Sequence, residues 1–365
     1  MNWTEQQSAA LKAVETWFKS KPRKQIFRVF GYAGVGKTSL ARHFAQSIKG
    51  SVLYAAYTGK AALMMKKNGC TNATTIHSLI YKAEEDEDGV VNFYLNKTSP
   101  LKSAALLIID ECSMVDSDLA MDVLSFNVPI LVLGDPAQLP PVSGAGYFTN
   151  AEPDVMLTEI HRQAKDNPII HLATTVREGN VLKVGKYGDS EVLADIQTTE
   201  ELAIYDQVIV GRNNTRTGIN KIIRSMIGKD TIFPDVNDRL ICLKNDKKMG
   251  ILNGEMFTVN ALVPDSKTKS VYKKYKLSDF DNGTKSIIVK VHNSFFDGTD
   301  IPDWRYLKGT QEFDYGYAIT CHKSQGSQWN DVLIIDESWC FREDSRRWLY
   351  TAITRAQNKI LVYKT

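Results

Sequence analysis

The stretch Gly31-Tyr32-Ala33-Gly34-Val35-Gly36-Lys37-Thr38 constrains this chain more than any other. It fits the phosphate-loop pattern G-x-x-x-x-G-K-[ST] at every fixed position, in a setting that gives the pattern physical meaning. Residues 26–30 (IFRVF) read as a short buried strand and residues 39–49 as a helix. The glycines let backbone N–H groups converge on phosphate oxygens, and the following helix adds its positive N-terminal end. In such a loop Lys37 faces the β- and γ-phosphates, while Thr38 offers its hydroxyl to Mg²⁺. Gly34, Val35, Gly36 and Ser39 complete the candidate cradle. A chance glycine-rich turn is the bland alternative, but strand, helix, Lys and Thr together weigh against it. The pattern points to a bound nucleoside triphosphate.

A second apolar run, LLII at 106–109, ends in Asp110-Glu111. An acidic pair at the carboxyl end of a buried strand downstream of a P-loop is the Walker B arrangement. Asp110 then holds Mg²⁺ and Glu111 orients or deprotonates the attacking water. A third run, ILVL at 130–133, leads into Gly134-Asp135-Pro136-Ala137-Gln138, where Gln138 can reach a γ-phosphate. Arg162, in Glu159-Ile160-His161-Arg162-Gln163, can reach a transition-state phosphate. Plain loop residues are the alternative for both.

Ahead of the P-loop, Thr4 can cap a helix over 5–19 whose apolar positions recur at helical spacing. Gln7 lies on its first turn, and a Gln amide can pair with one edge of adenine. Residues 51–56 read as a second strand, followed by Tyr57-Thr58-Gly59-Lys60-Ala61-Ala62, and later by Thr74-Thr75-Ile76-His77-Ser78. Small hydroxyls and backbone N–H groups at strand ends suit nucleic-acid phosphates, with helix capping as the equal alternative. Over 81–99 an acidic run, the turn dipeptide Asp88-Gly89 and Phe93-Tyr94 read as a small exposed β-hairpin.

Strands and helices alternate again beyond residue 165: strands at 207–210, 315–319, 332–335 and 360–363, helices over 213–227 and 348–355. Residues 243–311 differ, with β-rich runs, the turn signals Asn253-Gly254, Asn282-Gly283 and Asp297-Gly298, and no strong helix. A small β-barrel inserted in a second α/β domain fits that texture.

Composition adds bounds. At 43% hydrophobic and 24% charged, the 365 residues suit a globular protein of two or three domains. A net charge of +3 permits a nucleic-acid groove without arguing for one. The five cysteines are scattered without a C-x-x-C pair, which reads as reduced thiols in a cytoplasmic protein. No membrane span or signal-peptide pattern is evident, and neither is an internal repeat.

Taken in order, these motifs resemble one family over nearly the whole chain: superfamily-1 helicases of the 5′→3′ branch, the RecD-like group, nearest the phage Dda-type enzymes. The family's signatures read here as Gln7, the P-loop, T-G-K-A-A at 58–62, T-I-H-S at 75–78, D-E-C-S-M at 110–114, G-D-P-A-Q-L-P-P-V at 134–142, H-K-S-Q-G at 322–326 and T-R-A at 354–356. The resemblance implies two RecA-like domains clamping ATP and Mg²⁺: residues 1–165 with a hairpin insertion at 81–99, and 166–365 with an SH3-like barrel at 243–311. It implies that Gln7 selects adenine, that Gln138 couples the γ-phosphate to motion, and that Arg162 and Arg355 act as arginine fingers. Gly326 joins the nucleotide set. Thr58, Lys60, Thr75, His77, Asn213, Thr320, His322 and Ser324 would face single-stranded DNA, with Phe93 and Tyr94 at a strand-separating pin.

Two positions depart from the family. Tyr57 stands where relatives often carry Pro, which suggests stacking on a base. Gln328 stands where relatives often carry Glu, which puts a nucleotide contact there in doubt. The expectation is an ATP-dependent 5′→3′ DNA helicase, monomeric and cytoplasmic (host cytoplasm for a phage protein). Its partners are single-stranded and forked DNA, then single-strand-binding, replication or recombination proteins. Rival readings are a translocase that strips proteins, an RNA helicase, a nucleotide-gated loading module and, more remotely, a small-molecule kinase.

Overall fold

A strand covered on both faces reads as an unbroken apolar run, and the runs at 106–109 and 130–133 become fully buried neighbouring strands. The computed structural model describes residues 3–85, 91–141, 146–159, 167–196, 199–246, 249–264, 270–280, 286–303 and 305–365. They form two compact units. The first comprises Met1–Val181, Gln325–Ser327 and Arg346–Thr354; the second comprises Leu182–Ser324, Gln328–Ser345 and Arg355–Thr365.

The first unit runs α1 (Glu5–Lys19), β1 (Ile26–Gly31), α2 (Lys37–Ala45), β2 (Val52–Ala56), α3 (Gly59–Lys67), β3 (Thr74–Thr75), α4 (Ile76–Ile80), β4 (Tyr81–Glu85), β5 (Val91–Leu95), β6 (Leu106–Asp110), α5 (Ser117–Leu124), β7 (Ile130–Gly134), β8 (Val155–Leu157) and α6 (Pro168–Arg177). Its main sheet has the order β3-β2-β6-β7-β1-β8, with every neighbouring pair parallel. Parallel pairing puts all carboxyl ends on one edge, so the loops after β1, β6 and β7 meet there. Helices cover both faces. Val14, Trp17, Leu40 and Phe44 pack with Val29 and Leu131, and Ile76, Ile80, Leu119 and Val123 pack with Phe30, Ile109 and Val132.

Local signals explain the element ends. Thr4 caps α1 in a reciprocal box, accepting from Gln7 N while Gln7 Oε1 accepts from Thr4 N. Helix α2 begins earlier than the expected residue 39 because the left-handed Gly36 (φ 80°) ends the loop there. It ends at Ala45, where Ser47 folds back on the Phe44 carbonyl. β4 and β5 pair antiparallel as a separate two-stranded sheet, with Lys82 opposite Tyr94. The turn dipeptide Asp88-Gly89 lies outside the described residues. The division expected at 165 falls instead after 181, because α6 packs on the P-loop. Its Ile170 abuts Gly34, and the Arg177 guanidinium stacks 3.7 Å from the Tyr32 ring centre.

The second unit contains β9 (Gly185–Tyr187), β10 (Ser190–Leu193), β11 (Gln207–Val210), α7 (Asn213–Met226), β12 (Arg239–Cys242), β13 (Met256–Val263), β14 (Tyr272–Asp279), β15 (Ser286–His292), α8 (Ser294–Asp297), β16 (Phe313–Tyr315), β17 (Ala318–Thr320), α9 (Cys321–Ser324), β18 (Trp329–Asp336) and β19 (Ala356–Lys364). Between the last two strands, α10 (Ser345–Ile353) returns to the first unit from Arg346 onward. One sheet, β17-β11-β18-β19-β10-β9, is parallel except for its β9–β10 edge. The other, β15-β14-β13-β12-β16, is antiparallel throughout. It reaches beyond the expected limits of 243 and 311, taking in β12 and β16. The single strand expected over 315–319 divides at Gly316, where the chain leaves the antiparallel sheet for the parallel one. A side chain at Gly316 would meet Met256 Cε at 2.7 Å.

Among the described residues no helix is long and apolar enough to cross a membrane, and all five cysteines are free.

A buried charge anchors this second unit. Asp238, fully buried, accepts from Arg224 Nε at 3.1 Å and Nη2 at 3.0 Å. It also accepts from Tyr317 Oη at 2.9 Å and Asp235 N at 2.7 Å. Removing one partner strands the other charge in low dielectric. Asp238→Ala is therefore expected to destabilise the second unit by about 3–5 kcal/mol in urea unfolding. A loss below about 0.5 kcal/mol, the range of an ordinary surface substitution, would contradict this account.

Candidate functional site

The sheet edge where β1, β6 and β7 end gathers the chemistry of the first unit. Gly34 and Gly36 both hold φ near 80°, which turns the loop back toward α2. Lys37 Nζ donates to Gly31 O at 2.7 Å and Tyr32 O at 3.0 Å, so its ammonium lies along the loop. Thr38 Oγ1 donates to Asp110 Oδ2 at 2.6 Å, and Asp110 Oδ1 accepts from Glu111 N at 2.8 Å. Burial and the neighbouring Glu111 push the Asp110 carboxyl above the usual range. The Thr38 hydroxyl, Lys37 and the Glu111 N–H oppose that rise without cancelling it. Glu111 itself adopts left-handed backbone (φ 51°, ψ 46°), uncommon for a residue with a side chain and costing roughly 1–3 kcal/mol.

The loop after β7 is tied down on three sides. Asp135, 2% exposed, accepts Ala137 N on Oδ1 at 3.0 Å, and its carbonyl accepts Gln138 N at 3.2 Å. Its Oδ2 accepts the Tyr350 hydroxyl at 2.7 Å, and that same hydroxyl accepts the P-loop Ala33 N–H at 2.9 Å. Leu139 N donates to Thr351 Oγ1, and Leu139 O accepts from Gln325 Nε2, both at 2.9 Å. Gln138 is buried, and its Oε1 has no hydrogen-bond partner among the described residues.

Several expected residues hold other positions. Gln7 is 1% exposed; one end of its amide closes the α1 cap and the other donates to Val35 O at 2.9 Å. Here it is a strut between α1 and the P-loop. The Val35 side chain is core. Gly326 abuts α3: a Cβ there would meet Thr58 Oγ1 and Ala61 Cβ at 2.8 Å. Thr58 and Thr75 cap α3 and α4 by accepting from Ala61 N and Ser78 N. Buried Ser324 donates to Cys321 O at 2.6 Å. Orphan backbone groups at helix ends claim such hydroxyls, so Thr75 and Ser324, with buried Lys60, do not form an outward face.

His77 is exposed, its ring 5.8 Å from Tyr57 and 5.9 Å from Tyr81, and Phe93 and Tyr94 are 61% and 53% exposed. In the second unit Asn213 is exposed and Thr320 half-buried. His322 lies 5.7 Å from the Phe341 ring, and burial lowers its pKa. Arg355 is 3% exposed, with its carbonyl accepting from Trp329 N. Arg162 lies outside the described residues. The sequence reading missed Tyr350, Thr351, Gln325 and Arg177. Gln325 lies in the H-K-S-Q-G run and Tyr350 and Thr351 in the expected helix, but the groups they meet at this edge are set by tertiary packing.

A family model described as an AAA domain matches residues 2–198, and one described as a UvrD-like helicase C-terminal domain matches residues 315–363. The ATP-dependent RecD2 DNA helicase of Deinococcus radiodurans is 29% identical over 351 residues, covering 90% of this chain and 45% of that protein. The ATP-dependent DNA helicase dda of Enterobacteria phage T4 is 31% identical over 191 residues, 48% of this chain and 43% of that protein. The chain thus spans less than half the length of either relative. In fold it is similar to a Pif1 helicase solved in work on unwinding at forked double-stranded DNA. The TM-score is 0.61 at 21% identity, covering 99% of this chain and 92% of that one.

The loop geometry carries its own test. A side chain at Gly36 must be held left-handed, at about 1–2 kcal/mol. Gly36→Ala is expected to weaken binding of a fluorescent ADP analogue at least tenfold (roughly 1.4 kcal/mol) and to lower the melting temperature of the first unit. Unchanged affinity in a fluorescence titration would show that the turn is not built for phosphate.

Proposed function

This chain belongs to the AAA domain family, in the superfamily-1 RecD/Pif1-like helicase group, and from that premise we propose that it couples ATP hydrolysis to 5′→3′ movement on single-stranded DNA and unwinding of forked duplex. The observation that carries the reading is the hydrogen bond from Thr38 to the buried Asp110, which joins P-loop and acidic strand end. A hydroxyl and a single carboxylate suit Mg²⁺ bound together with phosphates, since that ion keeps most of its ligands as water and phosphate oxygen. When bound, the ion neutralises charge on the β- and γ-phosphates. Among the described residues there is no cluster of three or more His, Cys, Asp or Glu that would suggest a different metal.

Each residue then has one task. Lys37 exchanges the carbonyls of Gly31 and Tyr32 for phosphate oxygens. Glu111, next in the chain, takes the proton of the attacking water. Gln138 orients that water with its unpaired amide oxygen. Arg162 and Arg355 act on transition-state charge. Gly34, Gly36 and Ser39 cradle phosphate with their N–H groups, and Gln7 supports that cradle.

For the strand, we assign the aromatic row Tyr57–His77–Tyr81 to base stacking, worth about 1–3 kcal/mol per base. Asn213, Thr320 and His322 are the polar contacts of the second unit, and the antiparallel sheet around 243–311 is its SH3-like insertion. This division into two RecA-like domains, with forked DNA and single-strand-binding proteins as partners and the cytoplasm as location, belongs to the same proposal.

Lys37→Ala is expected to abolish ATP turnover with the fold intact, and Glu111→Gln to bind nucleotide and DNA while hydrolysing it slowly. Near-normal turnover in either variant defeats the site assignment. Unwinding of 5′-tailed but not 3′-tailed duplexes checks polarity, and equal activity on both would reject it.

The β4–β5 hairpin, with Phe93 and Tyr94 exposed, is the proposed strand-separating pin. Two strands alone are marginal in water. This pair is anchored at its base by Asn96 N on Ile80 O at 2.6 Å and by Ser99 Oγ on Leu79 O at 2.7 Å. Replacing residues 84–93 with a short Gly-Ser link is expected to spare DNA-stimulated ATPase and reduce unwinding of forked DNA. Parent-rate unwinding by the shortened protein rules out the pin.

A further inference from the structure

We propose that Tyr350 is a positioning residue for ATP hydrolysis: its hydroxyl, held between Ala33 and Asp135, sets the turn that carries Gln138. The proposal rests on the hydrolysis reading of this site and assigns a task to a helix remote in sequence from the P-loop. The connection is continuous within the first unit. Ala33 N–H donates to Tyr350 Oη at 2.9 Å, and Tyr350 Oη–H donates to Asp135 Oδ2 at 2.7 Å. Asp135 then accepts Ala137 N on its other carboxylate oxygen at 3.0 Å, and its carbonyl accepts Gln138 N at 3.2 Å. Three successive hydrogen bonds therefore link the P-loop to the backbone of Gln138, and the fourth braces the same turn at Ala137.

The chemistry of each member suits this task. Tyr350 is 1% exposed, so its ring is fixed by packing and its hydroxyl cannot turn to solvent. Burial and the Asp135 charge raise the Tyr350 pKa far above the ordinary phenol range, which keeps the proton that the bond to Asp135 requires. Asp135 accepts three hydrogen bonds from three different residues, so losing the hydroxyl leaves one buried carboxylate oxygen unpaired. Thr351, next in the helix, holds Leu139 N at 2.9 Å, so the turn is gripped on both sides of Gln138. The Gln138 amide oxygen has no hydrogen-bond partner among the described residues. A side chain meant to orient water needs an acceptor held ready at low reorganisation cost, and a rigid turn supplies it.

A residue that acts through another is recognised by a double-mutant cycle. Tyr350→Phe keeps the ring and removes only the oxygen. In the full chain it is expected to lower kcat for ATP about tenfold, with affinity for a fluorescent ADP analogue within about twofold. Hydrogen exchange in a peptide covering residues 134–141 should quicken in the same variant. Combined with Gln138→Ala, the Tyr350 substitution should have little further effect on kcat. Full additivity of the two, or unchanged exchange in Tyr350→Phe, overturns the proposal. So does a silent Gln138→Ala. A parent chain that hydrolyses no ATP with or without DNA overturns the functional reading instead, and the exchange measurement then decides independently whether the hydroxyl holds the turn. Melting temperature separates both outcomes from simple misfolding, because a packing role predicts loss in Tyr350→Ala and none in Tyr350→Phe.

Discussion

The hydrogen bond between Thr38 and Asp110 joins the first residues of α2 to the end of β6, and the rest of the site is arranged about it. It forms because the two strands that lead to it, β1 and β6, both pair with β7 in parallel. Parallel register brings carboxyl ends level, and three loops that are far apart in sequence then share one edge. The same register explains why Asp110 can be buried at all. A carboxylate pushed upward in pKa by desolvation needs hydroxyl, amide and ammonium partners nearby, and Thr38, Glu111 N–H and Lys37 supply them. Glu111, next in the chain, adopts left-handed backbone, and its charge adds to the burial that raises Asp110.

A second economy concerns hydroxyl groups. Thr4, Thr58 and Thr75 each precede a helix and accept a hydrogen bond from its first turn. A hydroxyl that accepts from an orphan N–H is worth about 1 kcal/mol to the helix, and its orientation is then fixed by the cap. Beside these caps Tyr57, His77 and Tyr81 lie in a row of ring contacts. Tyr81 is pinned there by its bond to Asp122. The second unit rests on a different device: the Arg224–Asp238 pair with Tyr317 links α7, the turn before β12 and the approach to β17. A buried charge network of that kind holds two sheets of opposite pairing type to one arrangement, because each member is costly to leave unpaired.

Much of the first unit was legible in the sequence for a physical reason. The P-loop, the apolar runs ending at Asp110 and Gly134, and the Thr4 cap are local instructions: a glycine turn, a strand buried on both faces, a hydroxyl before a helix. Their consequences appear within a few residues, so the strands at 106–109 and 130–133 could be read directly. The limits of the antiparallel sheet could not. β12 and β16 are only three or four residues long, and their pairing partners, set by distant segments, decide which sheet they join.

What tertiary structure alone decided is which groups meet. Nothing in the segment 345–353 announces that Tyr350 bonds to Ala33 and Asp135, since those contacts span 317 and 215 positions of sequence. Nor does the position of Gln7 reveal that both ends of its amide are taken. Local sequence determines conformation through sterics and capping, which act over one turn. The partners of a buried polar group are set by the packing of distant elements, and desolvation then makes each of those partnerships obligatory.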